Sequence, residues 1–175
     1  MGILAEPFVS HWTGAPVRAV LELVALAPAR GGGLIGLLDS RGITVQLAEE
    51  GGRSITPPAG QVVRVGVASV SATAALRDAD LSALRVLAAR HPGRFAVVVD
   101  QMDDVGCEYV VFDAIRRRLL EAGIAPDLLR PVIVSSGEGV VGGVDRIDWH
   151  SGPTLVEWIE ALHVRLASPL SGGGR

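Results

Sequence analysis

Asp100, Asp103, Asp104, Glu108 and Asp113 fall within fourteen positions, directly after five consecutive apolar residues at 95–99. Carboxylates at that density have two uses. They ligate hard divalent cations through oxygen, or they accept the unpaired backbone N–H groups at the start of a helix. Asp100 ends the apolar run, so it sits at the tip of a buried strand. Asp103 and Asp104 lie just before a helix expected to begin near Gly106, where capping is their ordinary role. Asp113 stands three residues before Arg116 and four before Arg117, a helical pairing on a wet face worth a few tenths of a kcal/mol.

Other reactive types are sparse. Cys107 is the single cysteine, which excludes a disulfide framework and a cysteine-rich zinc site. His11, His91, His150 and His163 lack ligand spacing, and His150, between Trp149 and Ser151, is the one worth mutating. No G-x-S-x-G elbow is present. Two segments fit G-x-G-x-x-G. Gly31, Gly33 and Gly36 follow an expected helix and enter an expected hairpin; Gly137, Gly139 and Gly142 follow a strand but precede no helix. A pyrophosphate cradle needs strand, glycine turn and helix in that order, so neither is read as one.

The chain has 175 residues, 49% hydrophobic, with formal net charge −3. That is enough to bury a core in one domain. All sixteen basic residues are arginine, the signature of GC-rich, bacterial coding. No basic field gathers phosphates, since Arg116-Arg117-Arg118 is the only basic cluster. No run approaches the roughly 20 apolar residues of a membrane span, and the acidic start is unlike a signal peptide. The expectation is a cytoplasmic protein.

Periodicity places the elements. Val17, Val20, Leu21 and Val24 recur at i, i+3, i+4, i+7 and predict a helix in residues 1–30, packed on the domain. "LIGLL" and "ITVQLA", joined by Asp39-Ser40-Arg41-Gly42, read as a hairpin, and "QVVRVGVASV" as a third strand. A helix follows over about 78–90, with Leu81, Leu84, Val86 and Leu87 mostly on one side. Then come the strand "RFAVVVD", a helix closed by Gly123, the strand "RPVIVSS", and a last helix with Pro153 in its first turn. The expected fold is α/β: a three-layer mixed sheet of about five strands, in the order α-βββ-α-β-α-β-α. The single α/β domain spans 31–167, with a flexible tail over 168–175.

Three antiparallel strands followed by α–β–α–β–α resemble RNase H-like folds. Within residues 95–140, "VVVD…VG…VVFDAIRRRLLEAGI…LLRPVIVSSGE" resembles the nuclease domain of phage large terminases. The resemblance implies two Mg²⁺ or Mn²⁺ ions held by acids of the first strand, the fourth strand and the final helix. Asp100 takes the fourth-strand place. Asp39, at the apparent turn after "LIGLL", is the first-strand candidate. Thr154 stands at the final-helix position, with Glu157 or Asp148 as substitutes.

Three readings of function follow. The first is a non-catalytic or degenerate RNase H-like domain acting through contacts with a protein partner or a second copy. The second is a Mg- or Mn-dependent nuclease using Asp100, Asp39 and Glu157 or Asp148; nucleic acid is then the substrate, although no basic patch supports it. The third is a small-molecule or nucleotide binder, with Ser135, Ser136 and Glu138 beside Asp100 at the carboxyl end of the sheet.

Overall fold

The computed structural model describes residues 18–26, 34, 36, 38, 43–47, 62–132 and 149–167. Its strands are β1 (Arg18–Ala25), β2 (Thr44–Leu47), β3 (Val62–Ser71), β4 (Phe95–Asp100) and β5 (Leu128–Pro131); its helices are α1 (Asp78–Arg90), α2 (Glu108–Glu121) and α3 (Leu155–Ala167). The sheet order is β2-β1-β3-β4-β5, and every pairing is parallel.

This confirms the α/β class and corrects three expectations. Residues 18–25 are strand, not helix. Leu34, Gly36 and Leu38 are helical, so "LIGLL" is not a strand. Residues 44–47 pair with β1 in parallel, which replaces both the hairpin and the mixed sheet. The reason is shared. β1 lies between β2 and β3, and such a strand in a parallel sheet, covered on both faces, reads as a near-continuous apolar run. A short run of this kind fits helical spacing as well as strand spacing. A parallel partner for β1 also needs a crossover element between the two strands, and the helical residues Leu34, Gly36 and Leu38 fall in that interval.

Two cores lie on opposite faces of the sheet. Leu21, Val65, Val67, Ala96 and Val98 pack against Leu34, Leu38 and the α3 residues Leu155, Trp158, Ile159 and Leu162. Ala68, Val70, Val97 and Val99 pack against Leu81, Leu84 and Leu87 of α1 and Phe112, Ile115 and Leu119 of α2. Val86, expected on the packed side of α1, is 52% exposed. Gly123 closes α2 as expected. It adopts φ +73°, its N–H donates to the Leu120 carbonyl, and Ile124 N–H donates to that of Leu119. That is the two-bond Schellman closure.

Gly66 is fixed by a close approach. A Cβ there would lie 2.6 Å from His91 Cδ2, and His91 is itself held by Glu22 Oε2 at 2.7 Å. Gly66→Ala is expected to cost about 1–3 kcal/mol as an overpacking substitution, read as a lower urea midpoint at unchanged slope. Burial pushes the Glu22 carboxyl up, but hydrogen bonds from His91 and Arg90 outweigh it and hold the group below its ordinary value of 4.5. A carboxylate lowered in the fold contributes stability that is present above the unfolded value and lost as pH falls through the folded one. Glu22→Gln should therefore lower stability near neutrality, converge with wild type at acid pH, and so flatten the loss of stability below about pH 4.5. Urea melts across pH would show it.

His163, buried in α3, leaves its Nδ1 without a hydrogen-bond partner. An orphaned buried polar atom costs about 1–3 kcal/mol. His163→Leu is expected to raise the melting temperature.

Candidate functional site

In an open parallel sheet, ligands collect beyond the carboxyl ends of the strands, where the winding direction reverses. Here β1 has β2 on one side and β3 on the other, and the chain then proceeds outward through β4 and β5. The reversal therefore lies between β1 and β3. The order 2-1-3-4-5 is one of the two common doubly wound orders. Ladder bonds continue past the strand ends, from Leu26 N–H to the Ser69 carbonyl and from Ala72 N–H to the Asp100 carbonyl. Ser71 and Asp100 are thus neighbours in register at that edge.

Asp100 is 1% exposed, and its Oδ1 accepts the backbone N–H of Gln101 at 2.6 Å. Gln101 has φ +62° and ψ +34°, and it is the one non-glycine residue with positive φ among those described. A long side chain in that region costs about 1–2 kcal/mol, and strained backbone of this kind clusters at functional sites. A side-chain network holds it. Ser71 Oγ donates to Gln101 Oε1 at 2.5 Å. Ser71 has only one hydroxyl proton, so the 2.7 Å contact with Thr73 Oγ1 must be Thr73 donating to Ser71. Thr73 N–H also donates to Ser71 Oγ, at 3.0 Å. The β3–α1 loop and the β4–α2 loop are joined through one hydroxyl. A cleft of about 390 Å³ opens beside this network, lined by residues 72–76, including Thr73 and Leu76, and by Val110, Val111, Ala114, Ile115 and Arg118 of α2.

The other expected residues are placed as follows. Glu157 Oε2 accepts Thr154 N–H at 2.7 Å, and Thr154 Oγ1 accepts Glu157 N–H at 3.2 Å, a reciprocal capping box at the start of α3. That helix begins at Leu155, so Pro153 precedes it. Asp103 and Asp104 do not cap α2. They form a 3₁₀ turn with Met102, and the N-cap is Cys107, whose side chain makes no capping bond. Asp113 pairs with Arg116 and Arg117 as expected, and Arg118 pairs with Asp78. Asp39, Ser135, Ser136, Glu138 and Asp148, like Gly137, Gly139 and Gly142, lie outside the described residues. Among the described residues no group of three or more His, Cys, Asp or Glu side chains could hold a metal ion, and no helix is long and apolar enough to cross a membrane.

The parallel fold also changes the context of Gly31, Gly33 and Gly36. They follow a strand, β1, and Gly36 lies among helical residues, which is the strand-to-helix setting that a phosphate-binding glycine motif requires. Ser71, Thr73 and Gln101 carry no motif that singles them out in sequence. Arg130 did carry a signal: a charge inside the apolar stretch "LLRPVIV". It is 1% exposed, and its Nη1 donates to His150 Nδ1 at 3.0 Å and to the Gly152 carbonyl at 3.1 Å. Burial, and then the neighbouring positive charge of Arg130, push the His150 imidazole below its ordinary value of 6.5.

No protein-family model matches the chain, and no curated protein sequence matches it.

Proposed function

We infer that the chain is a ligand-binding α/β domain of the nucleotide or small-molecule class, with its ligand at the carboxyl edge of the sheet between β1 and β3. The carrying observation is the parallel 2-1-3-4-5 order, which puts the reversal of winding beside Ser71. Two features support it. The sequence "APARGGG" joins β1 to the helical residues beginning at Leu34. A preorganised polar network joins Ser71, Thr73, Gln101 and Asp100 at the same edge. Asp100, Asp103 and Asp104 bring negative charge to the β4–α2 side, which suits the donor-bearing part of a ligand rather than its phosphates.

The test is calorimetry of the full chain with a panel of purine nucleotides, dinucleotides and flavin nucleotides. Saturable binding by one class, weakened about tenfold in Asp100→Asn with the melting temperature retained, would support the reading; a tenfold change is about 1.4 kcal/mol. No binding by any member would remove it.

The metal-dependent nuclease reading keeps Asp100 as its anchor, at the end of β4 where the resemblance to terminase nucleases puts an acid. It predicts saturable Mn²⁺ binding that Asp100→Asn abolishes. The protein-contact reading is supported by the exposed apolar side chains Tyr109 and Val110 on α2.

A further inference from the structure

We propose that a second cleft, between α2 and the segment before α3, binds a small aromatic carboxylate. This cleft, of about 290 Å³, is lined by Tyr109, Phe112, Asp113, Arg116, Trp149 and His150 among others.

The polarity of the site follows from Arg130. A guanidinium can only donate, so His150 Nδ1, 3.0 Å from Arg130 Nη1, must accept. The ring proton therefore sits on Nε2. With its proton fixed there, His150 cannot offer Nε2 to a metal or act from it as a base; what it brings to the cleft is an N–H donor. Arg116 is the second donor. Its partner Asp113 has two oxygens: Oδ1 faces Arg116 Nη2 at 3.3 Å and Oδ2 faces Arg117 Nη2 at 2.6 Å. Asp113 stays paired through Arg117 when Arg116 turns toward a ligand, so recruiting Arg116 strands no charge.

The apolar half is a corner of rings. Tyr109 and Trp149 stand at 87° with centroids 6.0 Å apart, and Phe112 meets Trp149 at 68° and 5.5 Å. His150 closes the set, edge-to-face with Phe112 at 5.1 Å. Trp149 Nε1–H is occupied by Glu108 Oε2 at 2.6 Å, which orients the indole and withdraws its donor from the ligand. A flat apolar ring fits the corner, and its carboxylate meets Nε2–H of His150 and the Arg116 guanidinium, whose fork suits a carboxylate. Quaternary ammonium ligands also favour aromatic corners, but the Arg116 charge and the His150 N–H here oppose a cation.

The experiment is calorimetric titration of the full chain with benzoate and indole-3-carboxylate, beside benzyl alcohol and tetramethylammonium. A carboxylate should bind saturably with a dissociation constant near 1 mM or tighter, and benzyl alcohol at least about tenfold more weakly, since hydrogen bonds to a charged group carry most of the difference. Arg116→Gln should weaken the carboxylate about tenfold at unchanged melting temperature. His150→Phe keeps the ring, removes the donor and should do the same; if it fails to fold, the exposed Arg116 variant carries the test alone. Tetramethylammonium binding in place of the carboxylates, equal affinity for benzoate and benzyl alcohol, an Arg116→Gln titration identical to wild type, or no saturation by any probe would each overturn the proposal.

Discussion

Replacing Arg130 by methionine is expected to lower the unfolding free energy by about 1–3 kcal/mol, the cost of leaving buried acceptors without their donor. At this chain length each kcal/mol is worth about 2–4 °C in melting temperature. Arg130 is 1% exposed and supplies a donor to His150 Nδ1 and to the Gly152 carbonyl. Methionine fills similar volume, so the loss would come from acceptors left without a donor rather than from a cavity. Removing the acceptor too, in Arg130→Met with His150→Phe, should cost less than the sum of the single changes, with a coupling of about 0.5–3 kcal/mol. An Arg130→Met protein as stable as wild type would mean that Arg130 does not hold the imidazole. The fixed tautomer, and with it the carboxylate cleft, would then lose its basis.

The same arginine shows how much of the molecule was legible beforehand. α1 and the α2–Gly123 closure could be read because each rests on local rules: helical spacing, and a glycine free to take positive φ. β4 could be read because six consecutive buried residues in a parallel sheet leave no alternation. What could not be read depends on pairing. Whether residues 44–47 lie parallel or antiparallel to β1 leaves no mark on those residues themselves, and that one fact converts "GGGLIG" from a hairpin entrance into a strand-to-helix connection. The candidate site was half legible for the same reason. Asp100 stood out as a charge ending an apolar run. Ser71 and Gln101 are thirty residues apart and meet only because β3 and β4 are adjacent. Gln101 was hidden further, because glutamine in left-handed backbone follows from the network around it and not from its own preference.

That network makes the second large effect. Ser71→Ala is expected to lose about 1–3 kcal/mol of stability, because only the hydroxyl is removed while Gln101 Oε1 and two Thr73 donors lose their shared partner. It should also weaken any ligand at the β1/β3 edge by about tenfold or more, since an untied loop pays an ordering cost on binding. Two substitutions at Gln101 separate strain from bonding. Gln101→Ala removes the side-chain bond and keeps a Cβ at φ +62°, whereas Gln101→Gly removes both, so the glycine variant should be the more stable by roughly 1 kcal/mol. Urea melts read the stability, and calorimetry with the ligand class found for wild type reads the affinity. If the site is preorganised by this network, Gln101→Gly should be comparatively stable and yet bind poorly, because relieved strain also frees the backbone beside Asp100. If Gln101→Gly binds as wild type does, the positive φ is only a local packing solution, and the ligand edge is built by β1 and β3 without the β4 loop.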